Sequence, residues 1–398
     1  MTTRRNFIKN SALTVAAIGG SAASCGLLGS DNKSKNLRDM SLAELATEIR
    51  PDFMVGSHQK ADHMTNTPEN GKAQAIVAGE YSQISVGIYQ KRTQRNARED
   101  WDFSTVDPVV DFAEQHGLTV YAHPMFGSDG YMPDWLLNGG YSDDELLEII
   151  EERIKTILTR YRGRIHIVDV YNEGLNRESR GWREPDNLFI SMGYHQNEVG
   201  QWPVFLEKIL QWCREYGGPD LKLIYNDNNN THADQPQSPD CIQMYRALRQ
   251  AGIPIDGIGI QLHSHIGADN IHRLGGGENS SKPAYSEALF AQNLRQMGNA
   301  GIHTYISECD VHLYGEINAA KYELQASAFR SFLKTCVEET SCKAFKTWGF
   351  TDASCWKPMS KNNPGYEYEP YPLVYDHNFE PKPAYHAMKD LLIGMIEG

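Results

Sequence analysis

The sequence predicts a single (β/α)8 barrel, the TIM-barrel architecture of the α/β class. Short apolar runs alternate with amphipathic helical stretches, and this alternation repeats eight times to the end of the chain. The length of 398 residues also fits one such barrel with insertions, since the fold commonly needs about 250 residues and can exceed 400. Functional groups of such barrels lie at the carboxyl ends of the strands.

The eight predicted strands are short apolar runs, bounded by polar or glycine-containing segments. They cover residues 53–58, 75–79, 118–123, 165–171, 221–226, 257–263, 303–307 and 345–350. The clearest predicted helices cover residues 143–160, 202–216, 237–251, 285–300, 319–338 and 382–396. Two long polar loops, 176–200 and 264–283, are predicted to form the walls of a groove, because loops of this length in a compact domain are usually functional.

Polar and aromatic side chains collect where these runs end. In chain order they are Glu80, His123, Asn172 with Glu173, Asn226, Gln261 with His263, Glu308, and Trp348. A single polar residue after a strand is weak evidence for a functional site, because loops are generally polar. Their accumulation at one predicted rim indicates a functional site.

Glu173 and Glu308 are the most informative members of this set. A carboxyl group at a strand end is costly to bury and is usually either solvated or functional. Two such groups facing one cleft suit glycoside hydrolysis, in which one acid protonates the leaving oxygen and the other attacks or stabilises the sugar carbon. For either residue alone, a surface salt bridge is the simpler interpretation.

Two further pairs follow from the alternation of side chains along a strand. Asp310 lies two positions after Glu308, so both carboxylates should project to the same side, and Gln261 and His263 should share a face in the same way. A histidine between two carboxylates would keep the attacking one ionised and correctly oriented. The same oxygen and nitrogen ligands could instead hold a hard cation, as in a metal-dependent sugar isomerase.

The composition and the absence of certain motifs limit which molecules this protein is expected to bind. The net charge of −13 should repel phosphate backbones, so no nucleic acid partner is predicted. Neither a C-x-x-C nor an H-E-x-x-H pattern occurs, and the glycine run at 275–277 lacks the lysine of a phosphate-binding loop. No metal and no cofactor are therefore predicted.

The first residues have the features of an export signal. Arg4 and Arg5 precede an uncharged stretch at 11–24, which is typical of a twin-arginine signal peptide over residues 1–24 and is too short for a permanent bilayer-spanning helix. A short uncleaved anchor is the alternative. The protein is thus expected to be periplasmic, attached to the cell envelope or secreted.

Cys25, directly after the predicted signal peptide, is a possible site of lipid attachment. It follows Ala22-Ala23-Ser24, which is similar to a lipoprotein cleavage box, so both lipidation and simple cleavage nearby remain open. Residues 25–38 form a predicted polar linker and residues 39–398 the barrel domain. Contact with a membrane is expected only through this possible lipid anchor.

The same residues fall into six ordered motifs that resemble glycoside hydrolase family 10, the endo-1,4-β-xylanases. The resemblance extends over about residues 50–390. The motifs are 169–173 (DVYNE), 257–263 (GIGIQLH), 304–310 (TYISECD), 347–352 (TWGFTD) with Trp356, and the weaker 225–227 (YND) and 381–385 (PKPAY).

The resemblance implies a role for each matching position. Glu173 would be the general acid and base, and Glu308 the nucleophile of a retaining mechanism in which His263 and Asp310 keep it charged. Asn172 would hydrogen-bond the sugar 2-hydroxyl. The remaining predicted substrate-binding residues are Glu80, His123, Asn226, Gln261, Trp348 and Trp356. The expected partner is a plant-type polysaccharide or oligosaccharide, bound by a monomer.

A disulfide is predicted between Cys336 and Cys342. An exported chain can oxidise its cysteines, and these two are close enough in sequence to close a small loop. Some fungal members of the family carry a disulfide at this place.

Two departures from the family pattern predict an altered pocket on the non-reducing side of the cleft. The family usually has Glu-Asn-x-x-Lys after strand two, whereas this chain has Glu80 followed by Tyr81, with Ile84 at the lysine position. The family also usually has a tryptophan four residues after the histidine that ends strand three. This chain has Phe126 one position earlier than that tryptophan. The predicted substrate is xylan or a decorated xylan. Another β-linked glycan, or a catalytically silent carbohydrate-binding barrel, are the alternatives.

Overall fold

Eight parallel strands form a closed barrel in the computed structural model, which describes residues 36–64, 70–176, 180–184, 187–275, 283–355 and 371–398. Each strand pairs in parallel with the next, and the last pairs with the first. The predicted TIM barrel is therefore confirmed. The barrel strands are β1 (Met54–His58), β2 (Gln83–Gly87), β3 (Thr119–His123), β4 (Ile167–Asn172), β5 (Lys222–Asp227), β6 (Gly257–Ile260), β7 (His303–Leu313) and β8 (Cys342–Thr347).

Helices surround this barrel and connect its strands. They are α1 (Leu42–Ile49), α2 (Ala61–Met64), α3 (Gly71–Glu80), α4 (Gln90–Thr93), α5 (Asp107–His116), α6 (Asp134–Leu137), α7 (Asp143–Arg160), α8 (Val204–Gly217), α9 (Gln237–Gln250), α10 (Glu287–Asn299), α11 (Ala319–Glu338) and α12 (Pro383–Glu397). The bounds predicted for α7 and α11 are confirmed, and the other four predicted helices agree within two residues at each end.

The local sequence explains why α7 is so readily predicted. Ser142 and Glu145 form a capping box at its start, which satisfies otherwise unpaired backbone donors. Its buried side chains recur at helical spacing and face the sheet. One of them is Arg153, whose guanidinium donates to the carbonyls of Ile88 and Met125 and so joins the loops after β2 and β3.

The second predicted strand, 75–79, is wrong. These residues lie in α3, where Ala73 and Val77 are buried four positions apart on one helical face. The actual β2 reads Gln-Ile-Ser-Val-Gly, and all five residues are buried. Because the barrel interior accepts Gln83 and Ser85, this strand lacks the continuous apolar run by which strands are recognised.

Strands β6 and β7 also differ from their predicted lengths. β6 ends at Ile260, and His263–Ile266 forms a separate short strand that pairs with β7 and with the antiparallel strand His272–Leu274. β7 continues to Leu313, so Glu308 lies within the strand. Its register against β8 shifts between Ile306 and Cys309, an irregularity that re-aims the side chains beside it.

The barrel interior below the carboxyl rim is filled by side chains from six strands. They form a cluster separate from the larger core between helices and sheet, and this packing closes the barrel beneath the site. The cluster comprises Tyr121, Ile167, Ile224, Tyr305 and Ala344, with Met54 packed against it.

Residues 37–398 form one compact unit. In the part of the chain that the structure describes, no helix combines the length and apolarity required to cross a bilayer. The predicted signal peptide, Cys25 and the linker as far as residue 35 lie outside the described residues, as does Trp356.

Candidate active site

Glu308 lies on β7 at the carboxyl rim and is almost completely buried. Its Oε1 accepts a hydrogen bond of 2.8 Å from Asn226 Nδ2, and its Oε2 lies 3.1 Å from His263 Nε2. His123 Nε2 lies 3.7 Å from Oε1. Burial acts to raise the pKa of Glu308, but the neighbouring His123 and His263 outweigh it and hold the pKa below its ordinary value. This carboxylate is therefore kept ionised, as a nucleophile requires.

His263 bridges the two carboxylates of β7. Its Nδ1 lies 2.9 Å from Asp310 Oδ2, on the opposite side of the ring from Glu308. Burial acts to lower the pKa of His263, but the charges of Asp310 and Glu308 outweigh it and raise the pKa to about 10. The predicted arrangement of a histidine between two carboxylates on one face of a strand is thus present.

Glu173 follows directly after β4 and has a left-handed backbone, with φ of 58°. This conformation is unusual for a residue with a side chain and costs about 1 kcal/mol or more. The glutamate N–H donates to the carbonyl of Asn226 at 3.0 Å, which helps hold the turn. Its Oε1 accepts from Gln261 Nε2 at 3.1 Å, and Oε2 lies 3.9 Å from Arg183 Nη2.

A network of carboxamides connects the two glutamates. Asn172 Oδ1 accepts from Asn226 Nδ2 at 2.8 Å and from Gln261 Nε2 at 3.1 Å. Asn226 also donates to Glu308, and Gln261 also donates to Glu173. Both acids, which are far apart in sequence, therefore belong to one hydrogen-bonded assembly at the carboxyl rim, as the sequence predicts.

Trp348 provides an aromatic surface beside this assembly. Its indole stacks on the imidazole of His58 with ring centroids 4.2 Å apart, and it meets His123 edge to face at 4.9 Å. His58 is absent from the predicted site residues. It ends β1, so the rule that functional groups lie at carboxyl ends of strands could have found it.

A buried lysine lies in the same part of the barrel. Lys346 on β8 is fully buried, and its Nζ lies 3.6 Å from the centre of the Tyr121 ring. Burial lowers its pKa to about 8, opposed by the charges of Asp169 and Glu308. Asp169 accepts from Tyr121 Oη at 2.5 Å and pairs with His123 Nδ1 at 2.6 Å. These groups form a layer of ionisable side chains beside Glu308.

Glu80 is wrong as a substrate-binding residue. It ends α3, at the amino end of β2, and therefore lies at the opposite end of the barrel from Glu173 and Glu308. Its Oε2 accepts from the backbone N–H of Leu42 at 3.0 Å, at the start of α1. The error follows from the wrongly placed second strand, which would put Glu80 directly after a strand end.

The true position of β2 also changes the comparison with the family pattern. The residues that follow this strand begin at Ile88, so Glu80 and Ile84 are not the positions to compare with Glu-Asn-x-x-Lys. Ile84 lies buried inside the strand. Lys91 Nζ donates to the carbonyl of Gly130 at 3.0 Å, next to the segment after β3.

Phe126 does not replace the missing tryptophan. Its ring is fully buried and packs edge to face against Phe189, 5.8 Å away. The space near the site is occupied instead by Tyr131, whose hydroxyl accepts from Asn172 Nδ2 at 2.8 Å. Nothing in the sequence indicates this tyrosine, because it lies beyond the strand end, in the short helical turn Asp129–Tyr131.

Cys336 and Cys342 are free, buried thiols, and their side chains are hydrogen-bonded to each other. The predicted disulfide is therefore not formed in this structure. Both thiols lie at the packed junction between the end of α11 and the start of β8, where cysteine fits as a small apolar side chain.

The sequence profile of Glycosyl hydrolase family 10 matches residues 44–391 of this chain. The chain belongs to glycosyl hydrolase family 10. Endo-1,4-beta-xylanase B of Thermotoga neapolitana is 30% identical to this family 10 protein over 330 residues, covering 82% of this chain and 84% of that enzyme. An endo-1,4-beta-xylanase of Agaricus bisporus is 26% identical over 82% of this chain and 89% of its own length.

Solved structures agree with this family 10 assignment. Native xylanase 10B from Thermotoga maritima is similar with a TM-score of 0.74 and 26% sequence identity, covering 90% of this chain and 99% of that chain. Xylanase 10B from Thermotoga petrophila RKU-1, solved with xylobiose, has the same TM-score of 0.74 and covers 90% of this chain and 98% of its own. The protein is thus a glycoside hydrolase with the barrel of its family.

Proposed function

We propose that this protein is an endo-1,4-β-xylanase that hydrolyses xylan or a decorated xylan with retention of anomeric configuration. The observation that carries the proposal is the assembly in which Asn172, Asn226 and Gln261 connect Glu173 to Glu308. Family membership and the names of its relatives support the substrate class. The intact pair of acids argues against a barrel that only binds carbohydrate.

In the first step, Glu308 attacks the anomeric carbon of the sugar on the non-reducing side of the cleaved bond. Its low pKa, supported by His123 and His263, supplies the carboxylate needed for attack. Glu173 donates its proton to the glycosidic oxygen, and the leaving chain departs as an alcohol. The product is a glycosyl ester of Glu308.

In the second step, Glu173 acts as the base. It removes a proton from water, which attacks the anomeric carbon and displaces the Glu308 carboxylate, so two inversions give net retention. Arg183 Nη2 lies 3.9 Å from Glu173 Oε2 and so lies beside the carboxylate that is present between the steps. Gln261 holds the other oxygen of Glu173 throughout.

Asn172 and Trp348 have binding roles in this proposal. Asn172 is fully buried and its carboxamide faces the sugar next to Glu308, where it hydrogen-bonds the 2-hydroxyl most strongly in the transition state. Trp348 offers an aromatic face on which a pyranose ring can stack. His123 and Asn226 orient Glu308, and both therefore act on the reaction mainly through the nucleophile.

Hydrolysis of a polysaccharide panel tests the substrate. We expect activity on linear and substituted xylans to exceed that on mixed-linkage glucan, cellulose and mannan, with products of several chain lengths early in the reaction. Higher activity on one of the other polysaccharides would favour a different β-linked glycan as the substrate. The residues after β2 and β3, which depart from the family pattern, are the reason for testing this alternative. NMR of the first product should show the β anomer.

We propose that the chain is exported through the twin-arginine pathway and attached to the envelope through lipid on Cys25. The paired Arg4 and Arg5, and the small residues before Cys25, support this proposal. Replacing both arginines by lysine should leave the protein in the cytoplasm. Cys25→Ala should release it from the membrane fraction; membrane retention without this cysteine would instead favour an uncleaved anchor.

We also propose that the barrel acts as a monomer, since both acids and their hydrogen-bonding partners come from one chain. Light scattering at assay concentration should give the mass of one polypeptide. A dimer whose dissociation abolishes activity would contradict this.

A further inference from the structure

Tyr131 lies in a single helical turn, Asp129–Tyr131, that follows the short strand Phe126–Gly127 after β3. Its hydroxyl oxygen accepts a hydrogen bond of 2.8 Å from Asn172 Nδ2. Its ring meets the His123 ring edge to face at 6.5 Å, so it reaches the same wall of the cleft as the residues around Glu308. Nothing in the family pattern quoted above assigns a tyrosine to this place.

The hydrogen bonds of Asn172 make this contact informative. Its Oδ1 accepts two bonds, from Asn226 and Gln261, and its Nδ2 gives one hydrogen to Tyr131. A carboxamide nitrogen carries two hydrogens, so one N–H remains. Because Asn226 and Gln261 donate to Oδ1 and Tyr131 accepts from Nδ2, the rotation of the Asn172 amide is fixed. The direction of the remaining N–H is fixed with it.

Gly127 explains how the tyrosine ring fits. A Cβ atom built at residue 127 would lie 2.5 Å from Tyr131 Cδ2, which is far inside van der Waals contact. The ring therefore occupies the space that a side chain at 127 would fill. The backbone of this glycine is not in the left-handed region, so a substitution would be excluded by the ring alone.

The turn that carries Tyr131 is held from two sides. Lys91 Nζ donates to the carbonyl of Gly130 at 3.0 Å, and Asp129 Oδ1 accepts from the N–H of Leu188 at 2.8 Å. The ring also meets Tyr89 edge to face at 5.9 Å. These contacts reduce the freedom of the ring, so its hydroxyl is preorganised for Asn172.

We propose that Tyr131 is a positioning residue that acts through Asn172: its hydroxyl orients the remaining Asn172 N–H toward the 2-hydroxyl of the sugar that Glu308 attacks. This inference rests on the proposed function. The residue makes the enzyme select pyranosides with a free equatorial 2-hydroxyl at the cleaved position. The phenol ring at this place substitutes structurally for a side chain at residue 127.

The test compares two substrates that differ by one oxygen. Aryl β-xylobioside and its analogue lacking the 2-hydroxyl on the sugar next to the aryl group are assayed with wild type and Tyr131→Phe. For Tyr131→Phe we expect kcat/KM to fall about tenfold on the parent substrate, the usual effect of one lost hydrogen bond to a buried amide, and to change little on the deoxy analogue. Thermal unfolding verifies that the variant is folded.

Two further variants separate positioning from general damage. Gly127→Ala keeps the hydroxyl but displaces the ring, and should show the same loss confined to the parent substrate. Tyr89→Phe, a neighbouring tyrosine-to-phenylalanine change without an Asn172 contact, should alter both substrates by the same factor. Equal losses of Tyr131→Phe on both substrates, or no loss, would overturn the inference. Failure of wild type on the parent substrate would instead count against the proposed function.

Discussion

Asn226 donates a hydrogen bond of 2.8 Å to Glu308 Oε1, and the same amide group donates to Asn172 at 2.8 Å. Its own oxygen accepts from Ser307 Oγ at 2.6 Å, which fixes the orientation of the carboxamide. One buried side chain from β5 therefore aligns the proposed nucleophile on β7 with the proposed 2-hydroxyl ligand on β4.

Glu308→Ala should abolish most of the activity. Loss of a covalent nucleophile raises the barrier by several kcal/mol, so we expect kcat on xylan to fall by more than about a hundredfold. Steady-state assays on xylan measure this, with Glu316→Ala, an exposed glutamate after the end of β7, as the matched control. A residual rate above one hundredth of wild type would refute the assignment of the nucleophile.

Glu173→Ala should show a loss that depends on the leaving group. A poor leaving group needs the proton that Glu173 donates, so the rate on xylan should fall by about 10²- to 10⁴-fold. An activated dinitrophenyl β-xylobioside needs no proton, so its first step should be nearly unaffected. The measurement is kcat/KM across a series of aryl leaving groups; a variant as impaired on the activated member as on xylan would speak against a general acid.

His263→Asn should move the acidic limb of the pH profile upward. Glu308 must be ionised to attack, and its pKa lies below the ordinary glutamate range partly because of His263. Removing this positive neighbour raises the pKa of Glu308, so activity is lost at a higher pH as the solution is acidified. Profiles of log kcat/KM against pH test this, with His303→Asn at the exposed start of β7 as control. An unshifted limb would show that His263 does not set the charge of Glu308.

Arg153→Met should destabilise the barrel. The guanidinium is fully buried and donates to two carbonyls and to the side chains of Thr93 and Gln94. Its removal leaves several buried acceptors unsatisfied, so the free energy of unfolding should fall by about 3 kcal/mol. Urea denaturation measures the change. Replacing the exposed Arg246 by Met should change the free energy of unfolding by less than about 0.5 kcal/mol. Similar losses for both variants would disprove the stabilising role of the buried Arg153 hydrogen bonds.

Glu80→Gln should leave catalysis unchanged. The residue lies at the amino end of the barrel, where its carboxylate accepts from Leu42 at the start of α1. Because a negative charge near a helix start is mildly stabilising, a loss of about 0.5 kcal/mol in unfolding free energy is expected. Kinetics on xylan with Trp348→Ala as the positive control provide the check. A raised KM for Glu80→Gln would show that this residue does contribute to substrate binding.

The proposed catalytic groups could be located from the sequence because each one ends, or lies within, a recognisable apolar run. Glu173, Glu308 and His263 all stand where a run gives way to polar residues, and period-two alternation paired Glu308 with Asp310 correctly. The same reasoning failed at Glu80. There an apolar stretch of the sequence belongs to a helix, and the real strand, with Gln83 and Ser85, has no apolar signature.

Residues that act through tertiary contacts were not accessible to this reasoning. Arg183 and Tyr131 lie outside the barrel strands, in the segments that follow β4 and β3, and nothing in their neighbouring sequence indicates that they reach Glu173 and Asn172. Lys346 stands inside a predicted strand where an apolar side chain would be expected. Its interaction with the ring of Tyr121 arises only because β3 and β8 meet across the barrel interior.

The sequence by itself determined the repeated strand-and-helix order, the identity of the two acids and the family to which they point, because periodicity and strand ends are local properties. Only the tertiary structure decided which short run is β2, how the left-handed turn at Glu173 and the register shift near Glu308 aim the two carboxylates, and which loop residues reach them. Those features depend on contacts between segments far apart in the chain, whose energies no single stretch of sequence contains.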